Sequence, residues 1–136
     1  MKKTIFQKLS TNFPAKKLKT FFDETLSGKT LNQCKGLINK STIIGAFDDK
    51  KLIGIARAVD DGVYGFLADI VVNKKYRHNG IGSKLVEMLC KELIKKNIKV
   101  IHCSTEKKLI PFFKKANKNF KYGSSDTTLY LMSYKK

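Results

Sequence analysis

Apolar positions along the chain alternate between short runs and helical stripes, a pattern that predicts a mixed α/β domain. The strand-like runs are Thr4–Phe6, Thr42–Phe47, Leu52–Val59, Phe66–Val72, Lys99–Ser104 and Thr127–Met132. Helical stripes, with apolar residues three and four positions apart, follow Pro14, Thr30, Gly80 and Lys107. An asparagine, Asn117 or Asn119, is expected to end the last helix in a left-handed conformation. Because Phe66–Val72 is almost continuously apolar, we expect a central strand buried on both faces.

The connections between these elements predict how the strands pair. Polar turns at Asp48–Lys51 and Asp60–Gly62 separate the second, third and fourth strand-like runs, so these three strands should be antiparallel. The helix after Gly80 returns the chain to the next strand, and such a crossover places Lys99–Ser104 parallel to Phe66–Val72.

Two glycines lie between the central strand and the longest predicted helix. Gly80 and Gly82 allow backbone N–H groups to come close to a ligand, and the first N–H groups of a helix have no partner within it. Such a helix start attracts anions, and phosphate in particular. The segment does not fit the Walker loop, because the order of Gly82-Ser83-Lys84 is wrong for it. It does not fit the dinucleotide fingerprint either, because Leu85 stands where a small residue is needed. It does match R-x-x-G-x-G, residue for residue, from Arg77 to Gly82.

This motif and its neighbours resemble the GNAT N-acetyltransferases. Leu52–Arg57 is similar to a strand of small bacterial members, Asp69–Val72 to their D-V-x-V strand, and Pro111–Lys115 to their A-F-Y-E-K helix. The order of elements also resembles the family over nearly the whole chain. The resemblance implies one domain, residues 1–136, of the α/β (α+β) class. It implies a mixed, mostly antiparallel central sheet, helices on both faces, and a splayed pair of parallel strands.

The resemblance also implies an activity, the direct transfer of an acetyl group from acetyl-coenzyme A, the co-substrate, to a primary amine of a small molecule or peptide. In this interpretation, backbone groups along the loop hold the pyrophosphate and those of the central strand pair with the pantetheine arm. The implied cofactor-binding residues are Ile70, Val71, Val72, Arg77, His78, Asn79, Gly80, Ile81, Gly82 and Ser83. One N–H of the strand segment would act as an oxyanion donor to the thioester.

Catalysis requires that the acceptor amine lose a proton and that the leaving thiolate gain one. An amine with a pKa near 10.4 is mostly ammonium at pH 7, and its deprotonation costs about 4–5 kcal/mol. Asp69 and Glu106 are the carboxylate candidates for this step. His102 is a possible base, although a single histidine on an interior strand is more often a core residue, and direct transfer needs no Cys103 nucleophile. No metal is implied.

The departing thiolate presents a second difficulty. The family usually has a tyrosine as general acid where this chain has Phe113. Ser104 or water is then an alternative donor. A module that binds acyl-coenzyme A without turning it over also remains open.

The charge of the chain requires that a third hypothesis be weighed, a basic nucleic-acid-binding protein. The formal net charge is +17, which is compatible with nucleic-acid binding. However, only two of the 28 basic residues are arginine, Arg57 and Arg77, and the lysines are scattered along the chain. We therefore expect no dedicated nucleic-acid site. A homodimer is compatible with the acetyltransferase interpretation.

The chain lacks an apolar run long enough to span a membrane, so we expect no membrane partner. Its three cysteines, Cys34, Cys90 and Cys103, have no metal-like spacing. They are expected to be buried thiols in a reducing cytoplasm.

Overall fold

The computed structural model describes residues 3–25, 28–105, 107–122 and 128–132. The strands in this part of the chain are β1 (Ile5–Lys8), β2 (Thr42–Asp48), β3 (Lys51–Asp60), β4 (Tyr64–Val72), β5 (Val100–Ser104), β6 (Lys121–Tyr122) and β7 (Thr128–Met132). The α-helices are α1 (Ala15–Thr25), α2 (Leu31–Lys40), α3 (Ile81–Lys95) and α4 (Ile110–Ala116). Single 3-10 turns lie at Lys74–Tyr76 and Lys107–Leu109. None of the described helices is long and apolar enough to cross a bilayer.

The described strands form one mixed sheet in the order β1-β2-β3-β4-β5-β7-β6. Neighbouring strands are antiparallel except β4 and β5, which are parallel as predicted from the helical crossover. That parallel pairing covers only three rungs, from Tyr64 with Val100 to Phe66 with His102. Beyond this last rung the two strands have no paired residues.

The helices cover both faces of the sheet, as predicted. On one face, α1 and α2 bury an apolar cluster with β2 and β3 that includes Phe21, Phe22 and Ile55. On the other face, α3 and α4 bury a larger cluster. Small residues of β3 let α3 approach closely, since a Cβ at Gly54 would meet Leu85 at 3.1 Å. The start of α3 is therefore fixed relative to β4.

Local sequence explains where α2 and α3 begin. Thr30 and Gln33 form a reciprocal capping box at the start of α2. Gly80 precedes α3 with φ of +75°, a conformation that glycine adopts without strain. Helix α4 differs from the prediction, because it begins three residues later than expected and ends at Ala116 with Asn117 in an extended conformation. Neither Asn117 nor Asn119 has a positive φ, so the expected left-handed end is wrong.

Burial along β4 also differs from the prediction. The segment Phe66–Val72 is predicted to be buried on both faces, but Phe66 is 49% exposed, and Tyr64 just before it is 47% exposed. Helices α1 and α2 pack on β2, β3 and the end of β4, so they leave the first half of β4 uncovered on their side. A continuous apolar run does not show which of its residues a helix will cover.

The packing of α3 generates a prediction about stability. Leu89 is fully buried against the sheet, so Leu89→Ala should lower the free energy of unfolding by about 2–5 kcal/mol. Ile94 lies on the same helix and is 40% exposed, so Ile94→Ala should change it by less than about 0.5 kcal/mol. Urea denaturation of both variants measures the difference, and equal losses would contradict this assignment of the buried face.

Candidate functional site

The separation of β4 and β5 opens a cleft of about 970 Å³ beside the start of α3. Here the point where the two strands part is called the fork. One wall of the cleft is formed by Leu67, Ala68 and Ile70–Val72 of β4, whereas Asp69 does not line it. The opposite wall is formed by Cys103 and Ser104 at the end of β5 and by Thr105 after it. The loop before α3 lies at its mouth, and Phe112 and Phe113 of α4 border it as well.

A β-bulge accounts for the fork. Arg57 of β3 is paired with Asp69 of β4, but the next residue, Ala58, is paired with Leu67. Ala68 is therefore an extra residue without a partner on β3. A bulge of this kind bends its strand and increases the local twist, and this one lies two residues after the last rung shared with β5.

The loop before α3 presents a row of unpaired backbone donors. Within the described chain, no N–H from His78 to Ser83 donates a hydrogen bond, and the first helical bond runs from Lys84 N–H to Gly80 C=O. His78 and Gly80 both have positive φ, of +67° and +75°. Because the macrodipole of the 15-residue helix adds positive potential at this end, the loop is suited to binding an anion.

Side chains hold this loop in place from three sides. Arg77 Nε donates to the carbonyl of Val72 at 3.1 Å, and Asn79 Nδ2 donates to the carbonyl of Tyr76 at 3.1 Å. The Tyr76 hydroxyl donates to Asp48 Oδ2 at 2.9 Å, so the loop is tied to the turn between β2 and β3. This hydrogen bond raises the pKa of Tyr76.

The aromatic ring of Phe112 explains why position 82 is a glycine. A Cβ added to Gly82 would lie 3.0 Å from the ring of Phe112 and 3.7 Å from Val72. Gly82 therefore permits both backbone access and close packing of α4 on the start of α3. Phe112 was not singled out in the sequence, because an aromatic residue on a short amphipathic helix is usually a core residue.

Asp69, one of the two carboxylate candidates, forms an ion pair. Its Oδ2 accepts from Arg57 Nε at 2.6 Å, and Arg57 Nη1 donates to Ser41 Oγ at 3.1 Å. The two charged side chains are only 15% and 14% exposed. Asp69 is thus fixed on the face of the sheet that carries α1 and α2, next to the bulge. Glu106, the other candidate, lies outside the described residues.

Phe113 belongs to the core and also borders the cleft. It is 4% exposed and packs edge-on against Phe120 at 5.9 Å and Phe112 at 5.1 Å between ring centroids. The sequence left open whether Phe113 is a core residue or lines the site. In the structure it is both. No hydroxyl is available at this position to protonate a leaving group.

The remaining candidates lie on β5. Cys103 borders the cleft but is buried, which raises the pKa of its thiol to about 11, so it stays protonated at neutral pH. This protonation state fits the expectation that Cys103 is no nucleophile. Ser104 is exposed at the cleft wall. The described part of the chain has no group of three or more His, Cys, Asp or Glu side chains placed to bind a metal ion.

A mixed sheet that separates at a parallel strand pair, with a helix start at the mouth, defines the acetyltransferase class that the sequence resembles. The model of the Acetyltransferase (GNAT) family matches residues 3–117, and the chain belongs to this family. Its members use acetyl-coenzyme A as co-substrate. The predicted family, fold class and co-substrate are thereby confirmed.

Individual relatives support the family assignment. The chain is 33% identical over 66 residues to GCN5-related N-acetyltransferase 2, chloroplastic, from Arabidopsis thaliana, a match that covers 48% of this chain and 26% of that protein. The chain thus spans about a quarter of the length of this curated relative.

Two solved structures show the shared fold. The PaiA N-acetyltransferase from Thermoplasma acidophilum, in complex with coenzyme A, has a TM-score of 0.71 and 19% identity, over 96% of this chain and 99% of that one. An aminoglycoside 6'-N-acetyltransferase complexed with coenzyme A has a TM-score of 0.80 and 17% identity, over 97% of this chain and 98% of that one.

The contacts of Asp69 lead to a prediction about stability. Asp69→Asn should lower the free energy of unfolding by about 1–3 kcal/mol, because Arg57 would keep a mostly buried charge without its ionic partner. Asp23→Asn breaks an exposed pair with Lys19 and should cost less than about 0.5 kcal/mol. Urea denaturation compares them. If Asp69→Asn is no more costly than the control, the pair with Arg57 does not stabilise the fold.

Proposed function

We propose that this protein transfers an acetyl group from acetyl-coenzyme A directly to a primary amine of a small molecule or peptide. The observation that carries the proposal is the row of unpaired N–H groups from His78 to Ser83, which lies at the mouth of a cleft between separated strands. A pyrophosphate needs several hydrogen-bond donors at close range, and this loop supplies them without a side-chain charge.

The backbone groups that line the cleft suit the two parts of the co-substrate, its pyrophosphate and its pantetheine arm. In our proposal, the backbone of Arg77, His78, Asn79, Gly80, Ile81, Gly82 and Ser83 binds the pyrophosphate. The segment Ile70–Val72 lies beyond the last rung shared with β5, so its backbone groups on that side have no strand partner. These groups would pair with the pantetheine arm, and one N–H would stabilise the developing oxyanion.

Deprotonation of the amine requires a base on the acceptor side. We propose Asp69 for this role, acting directly or through water, because its second carboxylate oxygen is not engaged by Arg57 in the described structure. Glu106 remains a second candidate from the sequence. A kinetic test separates catalysis from stability: Asp69→Asn should lower kcat more at pH 7 than at pH 9, where less of the amine is protonated.

The proposal predicts which loop residues matter most for binding. Gly82→Val should weaken acetyl-coenzyme A binding far more than Lys84→Ala, because a side chain at position 82 blocks the backbone and displaces Phe112, whereas Lys84 is exposed. Calorimetric titration gives both affinities. Ligand at 100 times its dissociation constant should stabilise the wild type by about 2.7 kcal/mol. Equal losses in the two variants would show that the loop is misassigned.

Amine-dependent release of coenzyme A thiol tests the activity itself. A protein that binds acetyl-coenzyme A but releases no thiol with any amine would be the non-catalytic acyl-coenzyme A module, a second candidate favoured by the missing hydroxyl at Phe113. Binding that falls steeply with salt, for nucleic acid and for acetyl-coenzyme A alike, would instead favour the basic nucleic-acid-binding protein.

Phe113→Tyr tests how the leaving thiolate is handled. The ring borders the cleft, so we expect the added hydroxyl to reach it and to raise kcat by about tenfold or more, most visibly below the pKa of the thiol. Phe120→Tyr, in the core beside it, is the matched control and should lower stability without a gain in rate. A stability loss of about 1–3 kcal/mol at position 113 with unchanged kcat would contradict the placement.

A further inference from the structure

Three aromatic rings lie beside the fork on the sheet face opposite α3, and two of them, Tyr64 and Phe66, are exposed while His102 is partly buried. Phe66 and His102 form the last paired rung of β4 and β5, and their rings stack with centroids 5.2 Å apart and planes at 19°. Tyr64 also contacts His102, with ring centroids 6.2 Å apart and planes at 46°. We call Tyr64, Phe66 and His102 the aromatic ladder.

The alternation of side chains fixes the face on which the ladder lies. Leu67, Ile101 and Cys103 belong to or pack against the cluster under α3 and α4, so their neighbours Phe66 and His102 point to the opposite face. Helices α1 and α2 cover that face only over β2, β3 and the end of β4. The ladder is left open, with Tyr64 and Phe66 about half exposed.

The ladder is continuous with the cleft. Ala68 and Ser104, both exposed, line the cleft, and each is two residues beyond the last rung. On the α3 side the cleft is lined by Ile81, Gly82 and Phe112, whereas no helix covers the start of β4 on the opposite face. A second substrate therefore has an open route to the fork from the face that carries the ladder and Asp69.

From this placement we propose that the aromatic ladder binds the acceptor, and that the acceptor is a primary amine joined by a short linker to an aromatic ring. The inference rests on the proposed transfer activity and names its substrate class. An aromatic ring stacked on Phe66 would lie one rung from the fork, so a short linker brings the amine to the thioester.

Charge supports an acceptor with a single amine. The chain carries a formal net charge of +17, which repels polycations at long range and slows their encounter with the site. An aromatic monoamine must lose only one proton before transfer, and its apolar ring can be buried against the ladder. We therefore expect tryptamine to be a better substrate than hexylamine, and hexylamine a better one than spermidine.

Thiol release at saturating acetyl-coenzyme A tests the substrate order and the role of Phe66. Phe66→Ala should raise the KM for tryptamine about three- to tenfold with kcat nearly unchanged, while the KM for hexylamine changes much less. Phe66→Tyr should restore the wild-type KM, because it keeps the ring. Ile94→Ala, exposed on the far side of α3, is the control and should behave as the wild type.

Binding is measured separately from turnover. The chain contains no tryptophan, so the indole fluorescence of tryptamine reports its own binding against a low background. If the affinity for tryptamine falls in Phe66→Ala and returns in Phe66→Tyr, the ladder binds the acceptor ring. If, in addition, no amine releases thiol, the ladder is supported and only the proposed transfer activity is wrong. Thiol release from other amines without tryptamine binding overturns the ladder and leaves the transfer activity standing.

Two further results would overturn the proposal. Equal KM values for tryptamine and hexylamine in the wild type would show that the rings do not select the acceptor. A dimer in sedimentation analysis that dissociates in Phe66→Ala would show that the ladder is instead an interface between two copies of the chain.

Discussion

The separation of β4 from β5 is the constraint on which the rest of the site depends. Paired strands lie about 4.8 Å apart and leave no room for a ligand between them. Here the pairing stops after Phe66 and His102, and the unpaired Ala68 bends β4 away. The cleft and the edge of Ile70–Val72 that lacks a strand partner both follow from this one irregularity.

The core determines where the anion-binding loop lies relative to the fork. Gly54 and the small residues Ala56 and Ala58 of β3 let α3 lie close to the sheet, and Leu85, Leu89 and Leu93 fill the contact. Since the helix cannot slide, its first N–H groups stay beside the mouth of the cleft. Phe112 then closes the same helix start from the side of α4. Apolar packing thus positions a row of polar backbone donors.

The sequence predicted the elements, the parallel strand pair and the loop from Arg77 to Gly82, because each depends on local periodicity or on glycine spacing. It could not predict features that depend on register. The pairing of Arg57 with Asp69 depends on which residues of β3 and β4 face each other, and an extra alanine in an apolar strand leaves no visible signal. Exposure of Phe66 depends on how far α1 and α2 extend over the sheet, which no property of Phe66–Val72 reveals.

The hydrogen bond between Tyr76 and Asp48 makes the turn between β2 and β3 a mechanical support of the loop at the start of α3. Asp48 ends β2, and the adjoining Asp49 has a φ of +55°, so the geometry of this turn is tightly specified. The turn does not border the cleft. Changes in the length or sequence of this turn would therefore alter the affinity for the co-substrate, although no residue of the turn contacts the cleft. Engineering of the turn would adjust binding and leave the residues of the cleft unchanged.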